Sequence, residues 1–390
     1  MSERPEETVE VQEASSGTRV MSGARTSVAA FLAQSVDAEE AGEPSARRIR
    51  SWKEFHDCAA ITGGSPDGER EASRVRVSGA LWAAVYGWFA NGGGECYLAP
   101  LGGKGGIAGA LEVLERVEEI SIVVAPDLWS EATAEDSRAA AGLIADHCQR
   151  TGNRVAVLHV PDGAPLESAA EMLGIDADAA PYVTVYYPWI NVLDADGETS
   201  AVPATGHVAG VWARVDARRG VHKAPANEDL RGVVGLTREL DDPEQEVLND
   251  QGVNALRKFP GTAPLVWGAR TLAAADPSDV ENSYLNVRRT VNFIKQSILQ
   301  STRWVVFEPN DDRLGTSVTA MITSFLTGLW RRGMLVGANT EQAFYVVCDE
   351  SNNSEEEVSQ GKLNVEVGVA LVRPAEFITF RVSQSVDQSD

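Results

Sequence analysis

The apolar positions of this chain change period several times, and each change marks an element. Leu81, Val85, Trp88 and Phe89 recur at intervals of three and four, the spacing of one helix face. Asn91 and the glycines from Gly92 end that helix, and Cys96 to Leu98 begin a short apolar strand. The alternation then repeats. ALEVLERVEE is helical and ISIVVAP a strand, AAAGLIADHCQRTGN is helical and RVAVLHVP a strand, and PYVTVYYPWI adds another. Upstream, Thr26 to Ser35 is the first core strand, and Ser51 with Glu54 has the spacing of a capping box opening a helix. Strands alternating with helices of about ten to fifteen residues predict a mostly parallel sheet covered on both faces.

The pattern loosens after Arg231, through LDDPEQEVLNDQGVN, and a second α/β section follows. LVWGART is a strand entering a turn. Tyr284, Val287, Val291, Ile294 and Ile298 form an apolar stripe on a helix, and RWVVFEPN reads as a short buried strand. Val318, Met321, Ile322, Phe325, Leu326, Leu329 and Trp330 share one face of the best amphipathic helix, and AFYVVCDE is a strand. Strict alternation returns near the ends. Leu363, Val365, Val367, Val369 and Leu371 lie on one face of a strand, and Ile378, Phe380 and Val382 on one face of the next. Val9 and Val11 alternate with Glu10 and Gln12 near the start. Unpaired strand edges at chain tips are open to partners, here expected to be other copies of the chain.

Composition narrows the function. Of 390 residues 43% are hydrophobic, enough for a real core, while the net charge of −23 argues against a protein built to grip nucleic acid. Cys58, Cys96, Cys148 and Cys348 form no CxxC pair, which favours buried thiols in a reducing cytoplasm. The opening MSERPEETVEV lacks the basic start and apolar run of an export signal, and no run has the length of a membrane span.

Candidate chemistry is thin. Around Lys104 the phosphate-loop pattern fails, with Leu98 where a glycine is needed and Gly105 where a hydroxyl is needed. His56, His147, His159, His207 and His222 share no metal-ligand spacing, and no GxSxG elbow occurs. No enzyme, cofactor or metal site is expected. Arg214, Arg218, Arg219, His222 and Lys223 make the densest basic patch, read as a solvated or intersubunit face, with an anion site as the alternative.

The order of motifs is specific. LVWGARTL, YLNVRRT, RWVVFEPN, the following amphipathic helix and GKLNVEVGVALVRPAEFITFRVSQ resemble, in order, the C-terminal domain of tail sheath proteins of contractile phage tails, R-type bacteriocins and related injection systems. Upstream, SWKEF, WFANGGGECYLAPL, YYPWI and PATGHVAGVWARVDARRGVHKAPAN also look like sheath segments.

The resemblance implies an α/β (α+β) architecture with a mostly parallel sheet, a smaller C-terminal α/β domain and extended strand arms. The expected division is an arm over 1–24, an outer sheath domain over 25–230, an inner domain over 231–374 and a second arm over 375–390. It also implies a structural subunit that polymerises as stacked hexameric rings around an inner tube and contracts to drive the tube through a target envelope. Partners would be neighbouring copies, the tube protein, and baseplate and terminal cap proteins, without nucleic acid or membrane insertion. Assembly would be cytoplasmic, in a phage tail or tail-like particle. Val9, Val11, Ile378, Phe380 and Val382 would be the intersubunit strand arms, and Arg331, Arg332, Arg288, Arg289 and Lys295 the candidates facing the tube. Another self-assembling shell protein and an α/β nucleotide-binding enzyme are the alternatives.

Overall fold

The computed structural model describes residues 20–33, 45–61, 75–101, 106–130, 133–193 and 197–375. The expected arm strands at Val9 and Val11, and at Ile378, Phe380 and Val382, lie outside them. The chain divides into two compact units. The larger contains Gly23–Gln300 and the chain from Leu371. The smaller contains Ser301–Ala370 and the chain up to Ser22.

The larger unit opens with β1 (Ala29–Ala33), β2 (Arg47–Ile49), α1 (Trp52–Cys58), β3 (Ala59–Ile61) and β4 (Val75–Val77). It continues through α2 (Gly79–Ala90), β5 (Cys96–Pro100), α3 (Gly106–Glu115), β6 (Ile122–Val124), α4 (Ala134–Thr151), β7 (Val155–His159) and β8 (Val183–Tyr187). Next come β9 (Ile190–Leu193), β10 (Thr199–Val202), α5 (Thr205–Arg219), β11 (Glu228–Asp229) and β12 (Gly235–Leu236). Finally α6 (Asp242–Asp250), β13 (Val253–Arg257), β14 (Leu265–Val266) and α7 (Leu285–Ser301) complete it.

Nine strands form one sheet in the order β11-β14-β13-β8-β7-β6-β1-β5-β2. From β13 to β5 all pairs are parallel, and β2 and β14 flank them antiparallel. Because β1 lies between β5 and β6, the winding reverses there and helices cover both faces, as the helix–strand alternation predicts. Side chains of β1 go to the two faces in turn. Ala30 and Leu32 join a core with Leu114 of α3, Ile144 of α4 and Leu248 of α6. Ala29 and Phe31 join a second core with Trp88 of α2 and Trp212 of α5. Each fully buried Leu, Ile or Phe stabilises by about 1.5–3 kcal/mol, so the sheet is held from both sides.

Helices α2 and α5 touch backbone to backbone. A Cβ on Gly206 would stand 2.1 Å from the Ala84 carbonyl oxygen, and one on Gly210 would stand 2.6 Å from that of Trp88. At α1, Ser51 accepts from the Glu54 amide at 3.2 Å as expected. The Glu54 carboxylate, however, accepts from the Arg50 amide at 2.8 Å, one residue before the position a capping box uses.

The compact units do not divide at 230/231, where the sequence reading placed a boundary. Strand β13 pairs in parallel with β8, so the segment after Arg231 completes the same sheet and separation falls after Gln300.

The smaller unit comprises α8 (Asp312–Arg331), α9 (Thr340–Ala343), β15 (Phe344–Val347), α10 (Glu355–Ser359) and β16 (Glu366–Val369). Asp311 caps α8 by accepting from the Leu314 amide at 3.0 Å, and Gly333 ends it at φ +73°. Val318, Met321, Ile322, Leu326 and Leu329 are buried along its expected stripe, with Phe325 and Trp330 half-buried.

The segment RWVVFEPN is not a buried strand. Arg303–Val305 form a 3-10 turn, Val306 is exposed, and Phe307 is fully exposed at φ +74°. Amides of Val305 and Glu308 close on the carbonyls of Thr302 and Val305, which coils the segment instead of extending it.

Candidate assembly surfaces

Strand β15 pairs antiparallel with β16 in a sheet of two strands, Phe344 opposite Val369 and Val347 opposite Glu366. Two strands bury little between them. Tyr345 lies against Gly368, where an added Cβ would stand 2.1 Å from the ring, and its hydroxyl donates to the Glu366 carboxylate at 2.8 Å. Among the described residues no third strand joins this sheet, although just past β16 the Val336 amide donates to the Ala370 carbonyl at 2.9 Å. From Leu363 to Leu371 the apolar positions are half-buried, as one face of an incomplete layer would be.

The roots of both expected arms are fixed within the larger unit. The Ala24 amide donates to Ser297 Oγ at 2.9 Å, and Arg289 donates to the Thr26 carbonyl at 3.0 Å. Arg25 pairs with Glu95 and, at 2.7 Å, with Glu119. At the other root, Asn286 Nδ2 donates to the Val372 carbonyl at 2.9 Å. Around Arg25, burial alone would raise the Glu95 and Glu119 carboxyls. Hydrogen bonds, from Arg25 and Arg48 to Glu95 and from Tyr97 and Arg25 to Glu119, hold both below the usual range.

The basic residues separate by burial. Arg289 is 4% exposed and holds Asp216 with two bonds at 3.0 and 2.6 Å, its guanidinium lying 4.8 Å from the Trp212 ring. It is therefore an internal structural residue, which corrects its expected place on a tube-facing surface. Arg288 is half-buried over the Tyr182 ring and bonded to Asn282. Lys295 is exposed, with its ammonium beside Gly152, the left-handed residue ending α4. Such a cation suits a helix C-terminus. Arg331 is exposed at the end of α8, and Arg332 Nε donates to the Gly328 carbonyl at 3.2 Å. Two residues of the basic patch are paired internally. Arg214 is buried against Asp229 and Asn91, and Arg218 bonds Glu228 at 2.8 Å.

Among the described residues no cluster of His, Cys, Asp and Glu has metal-binding geometry, and no helix is long and apolar enough to cross a membrane. Burial dominates the buried thiols and imidazoles. Cys148 is pushed up to about 12, and His147, His159 and His207 down to about 4.

The model of the phage tail sheath protein central domain matches residues 103–272, and that of the phage tail sheath C-terminal domain matches 278–385. The chain belongs to the phage tail sheath protein family. Among curated sheath proteins, that of Burkholderia phage BcepMu is 31% identical over 205 residues, 51% of this chain and 42% of the relative. The chain thus spans less than half the length of that relative. Two solved sheath structures match along all or nearly all of the chain. A sheath complex of the extracellular contractile injection system PVC, in its contracted state, is 28% identical with a TM-score of 0.78, covering 100% of both chains. The contracted helical sheath of the anti-feeding prophage is also 28% identical, with a TM-score of 0.76, covering 98% of this chain and 100% of that one.

In this sheath-family chain the sequence reading passed over the polar stripe of α7. Asn286 and Ser297 lie beside the apolar stripe and are both buried. It also passed over Gly206 and Gly210, whose four-residue spacing on α5 is the signal of a close helix crossing.

Proposed function

We propose that this chain is the sheath subunit of a contractile tail or injection apparatus, polymerising as stacked hexameric rings around an inner tube. The observation that carries this reading is the full-length likeness to a contracted injection-system sheath. Contraction would shorten and widen the stack and drive the tube through a target envelope. Baseplate and cap proteins would bound the stack, and assembly would take place in the cytoplasm. Its role is mechanical, not enzymatic.

The two-strand sheet of β15 and β16 supports a strand-exchange connection. An arm from one copy and an arm from another would extend that sheet in a neighbour, with main-chain hydrogen bonds holding them. One short strand at ~1 kcal/mol per bond is a weak link, whereas several links per subunit around each ring make a mesh. Exposed Arg331, followed by Arg332, would contact the tube through ion pairs of about 0–1 kcal/mol each, weak enough to release. Lys295 is the other exposed candidate.

Deleting residues 1–20 tests the reading. The shortened chain should fold, with unchanged circular dichroism, and remain as dispersed subunits. Tubes of normal length and abundance from the shortened chain would sink the arm connection.

A further inference from the structure

Three covalent routes lead out of the larger unit, at Gly23, Gln300 and Leu371. Helix α7 meets all three. Gln300 is in its last turn. Asn286, Arg289, Phe293 and Ser297 follow one another at spacings of three and four, a single stripe on the helix. Arg289 holds the Thr26 carbonyl, Ser297 holds the Ala24 amide, and the Phe293 ring lies 3.0 Å from where a Cβ on Gly23 would stand. One end of the same stripe holds the other root. Asn286 Nδ2 donates both to Val372 and, at 2.8 Å, to the His222 carbonyl. At 1.5 Å per residue Asn286 and Ser297 are roughly 16 Å apart along the helix.

Buried polar side chains destabilise unless they are paired, and these three are 0–4% exposed. Each of the three holds one backbone group at an arm root, besides its bonds to Asp216, the His222 carbonyl and the Phe293 carbonyl, so the stripe fits a holding role. The helix is itself fixed to the body. Arg289 carries the bidentate pair to Asp216 on α5, a helix packed on the central sheet.

We propose that α7 is a shared anchor: one helix holds the roots of both arms and is itself pinned to α5 through Arg289 and Asp216. This rests on the reading that neighbouring copies hold the arms. A shared anchor keeps the two arm roots at a fixed spacing. It also couples them, so that loosening one root loosens the other.

Hydrogen exchange on the intact chain, held dispersed below the concentration at which it assembles, tests the coupling. Ser297→Ala should speed exchange in peptides over 23–28 about fivefold, the effect of losing one hydrogen bond. It should also speed exchange over 371–375. Asn286→Ala should do the reverse, reaching 23–28 from the other root. Ile144→Val, a mild core change in α4, serves as control and should leave both segments unchanged. Effects confined to the nearer root, or equal effects from Ile144→Val, would overturn the proposal. Since exchange is read without assembly, this failure is distinct from failure of the arm reading, which the shortened chain tests separately.

Discussion

Arg289 on α7 and Asp216 on α5 form a bidentate ion pair whose two side chains are each 3% exposed. A buried pair adds little over an apolar substitute, but breaking it strands a charge. Arg289→Ala should therefore destabilise the chain by about 3–5 kcal/mol. Arg289→Met with Asp216→Leu should recover most of that loss. Lysine should recover little, because it lacks the planar fork that meets both carboxylate oxygens. Urea unfolding midpoints of the three variants decide the matter.

Acid should weaken the fold through its buried histidines before carboxylates dominate. Burial pushes His147, His159 and His207 down to about 4, and for His147 the charges of Arg154 and Arg150 add to it. Unfolded histidines titrate near 6.5, so between roughly 6.5 and 4 the unfolded chain binds more protons. Stability is fully present above 6.5 and falls as the pH drops, by up to about 1.4 kcal/mol per pH unit for each histidine. His207→Leu should reduce that slope by about one proton in urea titrations between pH 6.5 and 5.

Phe307 pairs a left-handed backbone with complete exposure. Left-handed geometry costs an ordinary residue about 1–2 kcal/mol, while glycine loses about 0.5–1 kcal/mol more chain entropy on folding. No buried contact is lost, so Phe307→Gly should stabilise the dispersed subunit by about 0.5–1 kcal/mol. Thermal unfolding measures it, and a lower midpoint would mean that the ring packs in the free subunit.

Gly206 and Gly210 let α5 lie directly on α2. Backbone oxygens cannot move aside as a flexible side chain can, so Gly206→Ala should cost at least the ~1–3 kcal/mol of an overpacked core. Gly142→Ala on α4, where an added Cβ meets nothing within 4 Å, should be neutral or stabilising. The two melting temperatures should move in opposite directions or differ by several degrees.

The larger sheet was legible because its strands are short apolar runs between helices of regular period, and those two signals agree from β5 to β8. The stripe of α8 was legible for the same reason. Arg289 was not. A charge on a helix with one good apolar stripe reads as solvent-facing, and nothing local announces that Asp216, 73 positions away, will bury it. RWVVFEPN failed in the opposite sense. Its apolar residues promise a buried strand, but strand pairing needs a partner edge, and the chain closes tight turns on itself there instead. The boundary at 231 was drawn where the pattern loosens, although pairing of β13 with β8 is a long-range contact that no local window contains.

A chain that builds a contractile sheath should be recognisable by electron microscopy of the purified full-length protein. Negatively stained samples, alone and with the inner tube protein, should contain striated hollow cylinders whose diameter differs between the contracted form and the form held on a tube. Dispersed monomers or small closed oligomers in both samples would contradict the account.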